Sequence, residues 1–239
     1  MDFTKKPILG MLHMYGLEQA ADYASDEIDI YSQEGVDGFI IENYHGTLKE
    51  IRQVLSWIDE IDGNMLKGIN ILPNDIVTAY ELAAAYKLDF IQFDYVAGSY
   101  ERTAPFDYQT FIRFRTRFPE IKILGGVWPK YYEPVPGSKL WEDIEDAQGR
   151  CDAIVVTGAG TGKETPLDKI KQFKELAGNT PIIIGAGLTP ENVGEQLAHA
   201  DGAIVGSTFK NFAKTTNPVD RELVREFMSE VNKVRNGSN

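Results

Sequence analysis

The 239-residue sequence contains one cysteine, three histidines and no long apolar run. Cys151 has no partner for an internal disulfide, and so low a thiol content is typical of a reducing compartment. A membrane-spanning helix needs about 18 apolar residues in succession, so no transmembrane segment is predicted. The first residues, MDFTKKPILGMLHM, lack the cleavage pattern of a secretory signal peptide. Together these absences predict a cytoplasmic protein.

Basic clusters are also missing. The formal net charge is -12, from 24 basic and 36 acidic side chains, and no basic run exceeds Lys5-Lys6. Such a chain offers no surface for nucleic acid or for an anionic membrane. A small phosphorylated ligand remains compatible with the charge, because backbone amides can hold a phosphate. The expected partner is therefore a small phosphorylated molecule, and no cofactor is predicted.

Eight short apolar runs recur along the chain, with amphipathic stretches between most of them. They begin near Pro7, Val36, Leu66, Asp89, Ile121, Asp152, Pro181 and Asp201. Eight strand–helix units in a chain of this length predict one (β/α)8 TIM barrel over residues 1–239. Doubly wound sheets also alternate strands and helices, but usually with fewer strands at this length. Barrel enzymes often form dimers, so a homo-oligomer is a further expectation, although the sequence shows no exposed patch.

The apolar patterns and the capping residues define the expected elements. Strands are predicted at Ile8–His13, Val36–Asn43, Leu66–Leu72, Phe90–Asp94, Ile121–Val127, Ala153–Thr157, Pro181–Ile184 and Ala203–Val205. Helices are predicted at Glu18–Glu34, Leu48–Glu60, Asp75–Tyr86, Asp107–Phe118, Leu140–Gln148 and Val219–Val234, and two more are predicted to begin at Pro166 and Thr189. Asn74 is the predicted cap of the helix at Asp75–Tyr86. The last helix would bury Val219, Leu223, Phe227, Val231 and Val234.

Two glycine-rich turns near the C-terminus predict a phosphate site. Gly185 and Gly187 follow the seventh apolar run, and Gly206 and Ser207 follow the eighth. Glycine lets the backbone approach a ligand closely, and a helix capped by Thr189 would direct free N–H groups at the first turn. Barrels frequently bind phosphate after strands 7 and 8. The alternative is two tight turns that hold no ligand.

Polar residues and glycines stand where most strands end, which is where barrel active sites lie. The candidate residues are His13, Glu42, Asn43, Asn70, Asp94, Lys130, Thr157, Gly158, Gly160, Gly185, Gly187, Gly206 and Ser207. Glu42 and Asp94 are the expected acid/base groups, with His13 as their partner, because burial would raise a carboxyl pKa toward the general-base range. Structural hydrogen bonds are the alternative role for all three. They lack tight ligand spacing, so no metal is predicted.

Two lysines in the loops after strands 5 and 6, Lys130 and Lys163, could contact a phosphate or form a Schiff base. A Schiff-base lysine must be desolvated, and a loop position favours a solvated side chain. Residues 158–163, GAGTGK, are not a P-loop, because Glu164 follows the lysine where Ser or Thr is required.

Several segments resemble the BtpA/SgcQ family in order along nearly the whole chain. They are ILGMLHM (Ile8–Met14), EGVDGFIIENY (Glu34–Tyr44), GINILPND (Gly68–Asp75), DAIVVTGAGTG (Asp152–Gly162), IGAGLTPENV (Ile184–Val193), ADGAIVGSTFK (Ala200–Lys210) and NPVD (Asn217–Asp220). The resemblance implies a TIM barrel. It also implies a link to photosystem I biogenesis for the founding member, whereas the biochemical activity of the family is poorly defined.

The chain departs from this resemblance around strand 5. The family pattern there is similar to ADVHVKHA, whereas this chain reads GGVWPKYY, with only Lys130 retained. Gly126 replaces an aspartate, and Trp128 and Tyr131 replace histidines; Asp94 stands where asparagine is more usual. The aromatic residues Trp128, Tyr131 and Tyr132 would offer a stacking surface for a ligand or would only pack the loop.

The C-terminal half is also similar to phosphoribosylanthranilate isomerase, whose strand-7 turn reads like GAGLTPENV. The catalytic cysteine and aspartate of that enzyme have no counterpart in Met11–His13 and Val155–Thr157. The leading hypothesis is therefore an acid/base isomerase or lyase acting on a sugar phosphate or phosphoribosyl compound. The alternatives are a non-catalytic assembly factor, a phosphoribosylanthranilate isomerase-like enzyme, and a Schiff-base aldolase.

Overall fold

A computed structural model describes residues 1–15, 20–58 and 64–237 of the chain. Eight parallel strands pair in sequence order and close into a barrel, which confirms the predicted TIM barrel. The strands are β1 (Ile8–His13), β2 (Gly38–Glu42), β3 (Leu66–Asn70), β4 (Phe90–Phe93), β5 (Lys122–Gly126), β6 (Ala153–Val156), β7 (Ile182–Ile184) and β8 (Gly202–Val205). The helices are α1 (Ala20–Gln33), α2 (Leu48–Leu55), α3 (Ile76–Ala85), α4 (Tyr108–Arg117), α5 (Leu140–Gln148), α6 (Leu167–Ala177), α7 (Val193–Leu197) and α8 (Arg221–Arg235).

The predicted bounds of β1 and α5 agree with the structure, whereas most other strands are shorter by one to three residues at their ends. The predicted start of α1 at Glu18 and the predicted end of α2 at Glu60 lie outside the described residues. Two predicted helix caps are wrong. Asp75 caps α3 by accepting a hydrogen bond from the Thr78 N–H, while Asn74 has φ 54° and donates its side-chain amide to the Tyr95 carbonyl. Asn74 cannot cap, because a cap residue needs an extended backbone.

Thr189 does not cap α7. Its own N–H donates to Asn192 Oδ1 at 2.8 Å, and α7 begins only at Val193. The Asn192 side chain closes the segment from Thr189 to Asn192 into a turn, which leaves a helix of five residues. The sequence-based argument for anion binding at a helix start is therefore lost, and the glycine turns must be assessed without it.

The buried face of α8 is also shifted. Val224, Phe227, Met228 and Val231 are buried, whereas Leu223 is partly exposed. The helix begins at Arg221 with Asp220 as its cap, two residues later than predicted. Val219 lies before the helix and is buried there.

Side chains alternate between two hydrophobic layers. An inner cluster packs inside the barrel. Its buried members are Leu9, Met11, Ile40, Phe90, Leu124, Ala153, Val155, Ile183 and Ile204. A larger cluster packs the outer faces of the strands against the helices. Residues two positions further along a strand share the inward face. The inner cluster therefore identifies which strand-end residues point into the barrel.

Four aspartates join neighbouring strands at the amino-terminal edge of the barrel. Each precedes an even-numbered strand, and its carboxylate accepts the N–H of a residue near the start of the preceding odd-numbered strand. The pairs are Asp37 with Ile8, Asp89 with Lys67, Asp152 with Ile123 and Asp201 with Ile182, at 2.7 to 2.8 Å. The aspartates thus hold the amino-terminal ends of β1, β3, β5 and β7, at the end of the barrel opposite the predicted site.

Asp152→Asn is expected to destabilise the fold by about 1–3 kcal/mol at pH 7. The carboxylate also contacts Arg115 and Lys122, at 2.7 and 3.0 Å. Burial alone would raise the pKa of Asp152, but the Ile123 N–H, Lys122 and Arg115 outweigh it and lower the pKa below its ordinary value. A lowered pKa adds stability above the unfolded-state pKa and loses it as the pH falls through the folded-state pKa.

Urea unfolding at several pH values measures this effect. The difference between wild type and Asp152→Asn should shrink as the pH falls through the lowered folded-state pKa of Asp152. Asp29→Asn, an exposed change on α1, is the control. A difference that stays constant with pH would show that the charge of Asp152 does not contribute.

Candidate active site at the carboxyl end of the barrel

A cavity of about 400 Å³ opens at the carboxyl ends of the strands. Three glycines at inward-facing strand ends make room for it: Gly126 after Leu124, Gly185 after Ile183 and Gly206 after Ile204. At Gly206 an added Cβ would lie 2.9 Å from His13 Cε1, so even a methyl group would intrude there. The inward-facing ends of β5, β7 and β8 therefore present backbone and no side chain to the cavity, and we call this side the backbone wall.

The opposite wall is polar. His13, Glu42, Asn70 and Asp94 lie on or just after β1 to β4, and all but Asn70 line the cavity. Asn70 Nδ2 donates to Glu42 Oε1 at 2.8 Å and more weakly to Asp94 Oδ1 at 3.4 Å. His13 Nε2 lies 3.6 Å from Glu42 Oε2. The structure thus brings the three predicted catalytic residues together, with Asn70 bridging the two carboxyl groups.

The site shifts the pKa of Glu42 toward neutral pH. Burial, and then the negative charge of Asp94, raise the pKa of Glu42 to about 8 against the opposing effects of Lys130 and the Asn70 hydrogen bond. Burial lowers the pKa of His13 well below its usual value, and the positive charges of Lys210 and Lys130 lower it further. At neutral pH, therefore, Glu42 carries a proton and His13 is a neutral imidazole. Because Asn70 donates to Oε1, the Glu42 proton belongs on Oε2, beside His13.

Asp94 has a different environment. The Tyr132 hydroxyl donates to Asp94 Oδ2 at 2.7 Å, and Asn70 donates to its other oxygen. Burial, together with the Asp94 charge, raises the pKa of Tyr132, so its hydroxyl remains a donor. The two neighbouring carboxyl groups are thus distinguished: the pKa of Glu42 is raised to about 8, whereas Asp94 accepts a hydrogen bond at each of its oxygens. Two carboxyl groups in unlike environments are a usual arrangement for acid/base chemistry.

The predicted ligand-binding residues divide into two groups. Lys130, Gly185, Gly187, Gly206 and Ser207 line the cavity, together with Thr157, whose hydroxyl accepts the Lys130 N–H at 2.7 Å. Among the described cavity-lining residues, Gly158, Gly160 and Asn70, all predicted to bind the ligand, do not occur, and neither does Asn43. A Cβ on Gly158 would overlap the Glu164 carbonyl, and the Asn43 side chain bonds both backbone groups of Leu72, so Gly158 and Asn43 support local structure.

The long loop after β5 contributes two of its three predicted aromatic residues to the cavity. Tyr131 and Tyr132 line it, whereas Trp128 does not; the Trp128 indole donates to Asp143 at 2.7 Å and packs against the outer core. The proposed stacking surface is therefore smaller than predicted. Lys163 is exposed and lies outside the lining, so it lacks the desolvation that a Schiff base requires.

Sequence reasoning missed a hydrogen-bonded bridge across the mouth. The hydroxyls of Tyr44 and Tyr131 both contact Thr161 Oγ1, at 3.0 and 3.1 Å, and the Thr161 N–H donates to Tyr131. These residues come from the loops after β2, β5 and β6. Their contacts depend on the barrel bringing distant loops together, so no local pattern could have indicated them. Gln92 was missed as well, although its spacing of two from Asp94 indicated the same face.

The BtpA family model matches residues 4–233, which is nearly the whole chain. The chain belongs to the BtpA family. This BtpA-family protein is 28% identical to an uncharacterized protein of Methanocaldococcus jannaschii, over 98% of each chain. It is 24% identical to the photosystem I biogenesis protein BtpA of Synechocystis sp., over 94% of this chain and 88% of that one. The predicted family resemblance is therefore confirmed.

Solved structures share the fold of this BtpA-family chain. A structure described as native KDPGal superposes with a TM-score of 0.68, 14% identity and coverage of 97% of both chains. N-(5'-phosphoribosyl)anthranilate isomerase from Pyrococcus furiosus gives a TM-score of 0.63 and 14% identity, over 96% of this chain and 100% of that one. At these identities the likeness establishes the barrel alone. Across the described part of the chain, no helix is both long and apolar enough to cross a bilayer.

Proposed function

We propose that this BtpA-family protein binds a phosphorylated small molecule, either a sugar phosphate or a phosphoribosyl compound, and catalyses acid/base chemistry on it as an isomerase or lyase. The observation that carries the proposal is the division of one cavity into two unlike walls. A backbone wall near Gly187, Gly206 and Ser207 faces a wall where Glu42, whose pKa is raised to about 8, lies beside Asp94, whose two oxygens accept hydrogen bonds.

The phosphate is assigned to the backbone wall. Gly187 has φ 74°, which favours glycine, and a Cβ there would lie 2.2 Å from the Lys163 carbonyl oxygen. Residue 187 therefore cannot carry a side chain, so no side chain of its own stands between this turn and a phosphate. The Ser207 hydroxyl adds a side-chain donor on the neighbouring loop. The protein has a net charge of -12, so neutral amide dipoles are a suitable means of holding an anion.

The reacting end of the ligand is assigned to the polar wall. Asp94 would remove a proton from the hydroxyl-bearing carbon beside a carbonyl group, and Glu42 would give its proton to the carbonyl oxygen, producing an enediol. Return of the proton from Asp94 to the former carbonyl carbon, with transfer of the proton of the other hydroxyl to Glu42, gives the isomer and restores both carboxyls. The positive charge of Lys130, which already lowers the pKa of Glu42, would stabilise negative charge on the ligand.

Two measurements test this function. Inorganic phosphate and a panel of aldose and ketose phosphates are expected to raise the melting temperature, because a ligand that binds only the folded state stabilises it. In D2O, an active substrate is expected to incorporate deuterium at the carbon beside its carbonyl, which NMR detects. Asp94→Asn should retain phosphate binding and lose the exchange.

The outcomes separate the alternatives. If no phosphorylated compound stabilises the protein, the proposed function is wrong. Binding without deuterium exchange for any member of the panel would contradict catalysis and favour the non-catalytic scaffold, which the replacement of ionisable groups around β5 also favours.

A further inference from the structure

Gln92 occupies an inward-facing position that the proposed chemistry does not use. It lies on β4 between Phe90, which belongs to the inner core, and Asp94, and it lines the cavity. The β3–β4 register pairs Ile69 with Ile91, so the next residues on the two strands, Asn70 and Gln92, are neighbours on the inner face. The polar side of the barrel interior therefore has two adjacent side-chain amides, one on β3 and one on β4.

Both amides have an oxygen without a partner. Gln92 Oε1 and Asn70 Oδ1 are buried, and neither has a hydrogen-bond donor within the described part of the protein. The orientation of Asn70 is set by its nitrogen, which donates to Glu42 and Asp94. A buried acceptor left unpaired costs about 1–3 kcal/mol, so such atoms call for a missing donor. Asn70 is fully buried and outside the cavity lining, whereas Gln92 is half-buried and lines the cavity, so rotation of its terminal amide can turn Oε1 toward a ligand.

We propose that Gln92 Oε1 accepts a hydrogen bond from a hydroxyl group of the ligand, close to the reacting carbon, and so selects polyhydroxylated phosphates. This inference depends on the proposed function. An orphaned acceptor needs a donor, which carbonyl and phosphate oxygens cannot supply. A hydroxyl supplies one without a charge, whereas an ammonium group would place a second cation in a wall already close to Lys130. Gln92 is thus a specificity residue that recognises the sugar part of the ligand.

The test compares two phosphate monoesters of similar length, ribose 5-phosphate and n-butyl phosphate. Inorganic phosphate is the reference, because it measures binding of the phosphate group alone. Calorimetry on the wild type is expected to show tighter binding of ribose 5-phosphate than of butyl phosphate. Gln92→Met keeps the side-chain length and removes the acceptor. It should weaken the binding of ribose 5-phosphate roughly ten-fold and change the affinities for inorganic phosphate and butyl phosphate by less than about two-fold.

A matched control is Gln148→Met on α5, outside the cavity lining, where the amide donates to the Ala177 carbonyl; it should leave the preference unchanged. The melting temperature of Gln92→Met should not fall, since the change removes an unpaired polar atom. If the wild type binds phosphate but does not prefer the sugar phosphate, or if Gln92→Met keeps that preference, the role of Gln92 is wrong. If the wild type binds none of the three compounds, the proposed function itself fails.

Discussion

Glu42→Gln is expected to make the protein more stable in alkaline solution and to abolish proton transfer. The pKa of Glu42 is raised from 4.5 to about 8, chiefly by burial. Between these values the folded state binds one proton more than the unfolded state, so the free energy of unfolding falls as the pH rises. The full cost of ionising Glu42 is present above about pH 8. At about 1.4 kcal/mol per pKa unit it amounts to about 3–5 kcal/mol.

Glutamine is neutral at every pH and avoids this cost, while its Oε1 can still accept from Asn70. Thermal unfolding of wild type and Glu42→Gln should therefore give similar melting temperatures near pH 4 and a clear gain for the variant near pH 9. Deuterium exchange into the substrate should fall by roughly 100-fold or more, because the variant has no carboxyl proton to deliver. Glu81→Gln, an exposed change on α3, is the control. An equal stability difference at both pH values would contradict the raised pKa.

Gly206→Asp is expected to eliminate binding of phosphorylated ligands. Gly206 has φ -119° and ψ -85°, and an added Cβ would lie 2.9 Å from His13 Cε1 and 3.3 Å from Met11 Cγ. An aspartate would crowd these side chains and place a negative charge against the phosphate, which costs several kcal/mol. Affinity for inorganic phosphate and for ribose 5-phosphate should fall by at least about 100-fold in calorimetry.

The same added charge can be placed outside the cavity as a control. Gly194 lies on α7, has no atom within 4 Å of an added Cβ, and does not line the cavity. Gly194→Asp should bind phosphate as the wild type does, and circular dichroism should show that both variants are folded. Wild-type affinity in a folded Gly206→Asp protein would exclude the phosphate from this turn.

Much of the architecture could be predicted because it depends on local patterns. Apolar runs flanked by turn residues indicated all eight strands, and Leu140–Gln148 was predicted with its observed bounds. The errors at Asn74 and Thr189 concern residue types that favour a helix cap. Asp75 caps α3 in place of Asn74, and a turn at residues 190–192 separates Thr189 from α7, which begins at Val193 without a side-chain cap. Composition does not indicate which of two neighbouring residues will cap a helix, or where the first helical turn will begin.

Local residue patterns were enough to predict the alternation of strands and helices, and with it the end of the barrel where His13, Glu42, Asp94 and the glycines after β7 and β8 lie. How these groups interact depends on tertiary packing. The pKa of Glu42 is raised because closure of the barrel buries it beside Asp94, which is far away along the chain. Burial and through-space charge depend on the packed arrangement of many segments, so neither the raised pKa nor the unpaired oxygen of Gln92 can be read from a local pattern.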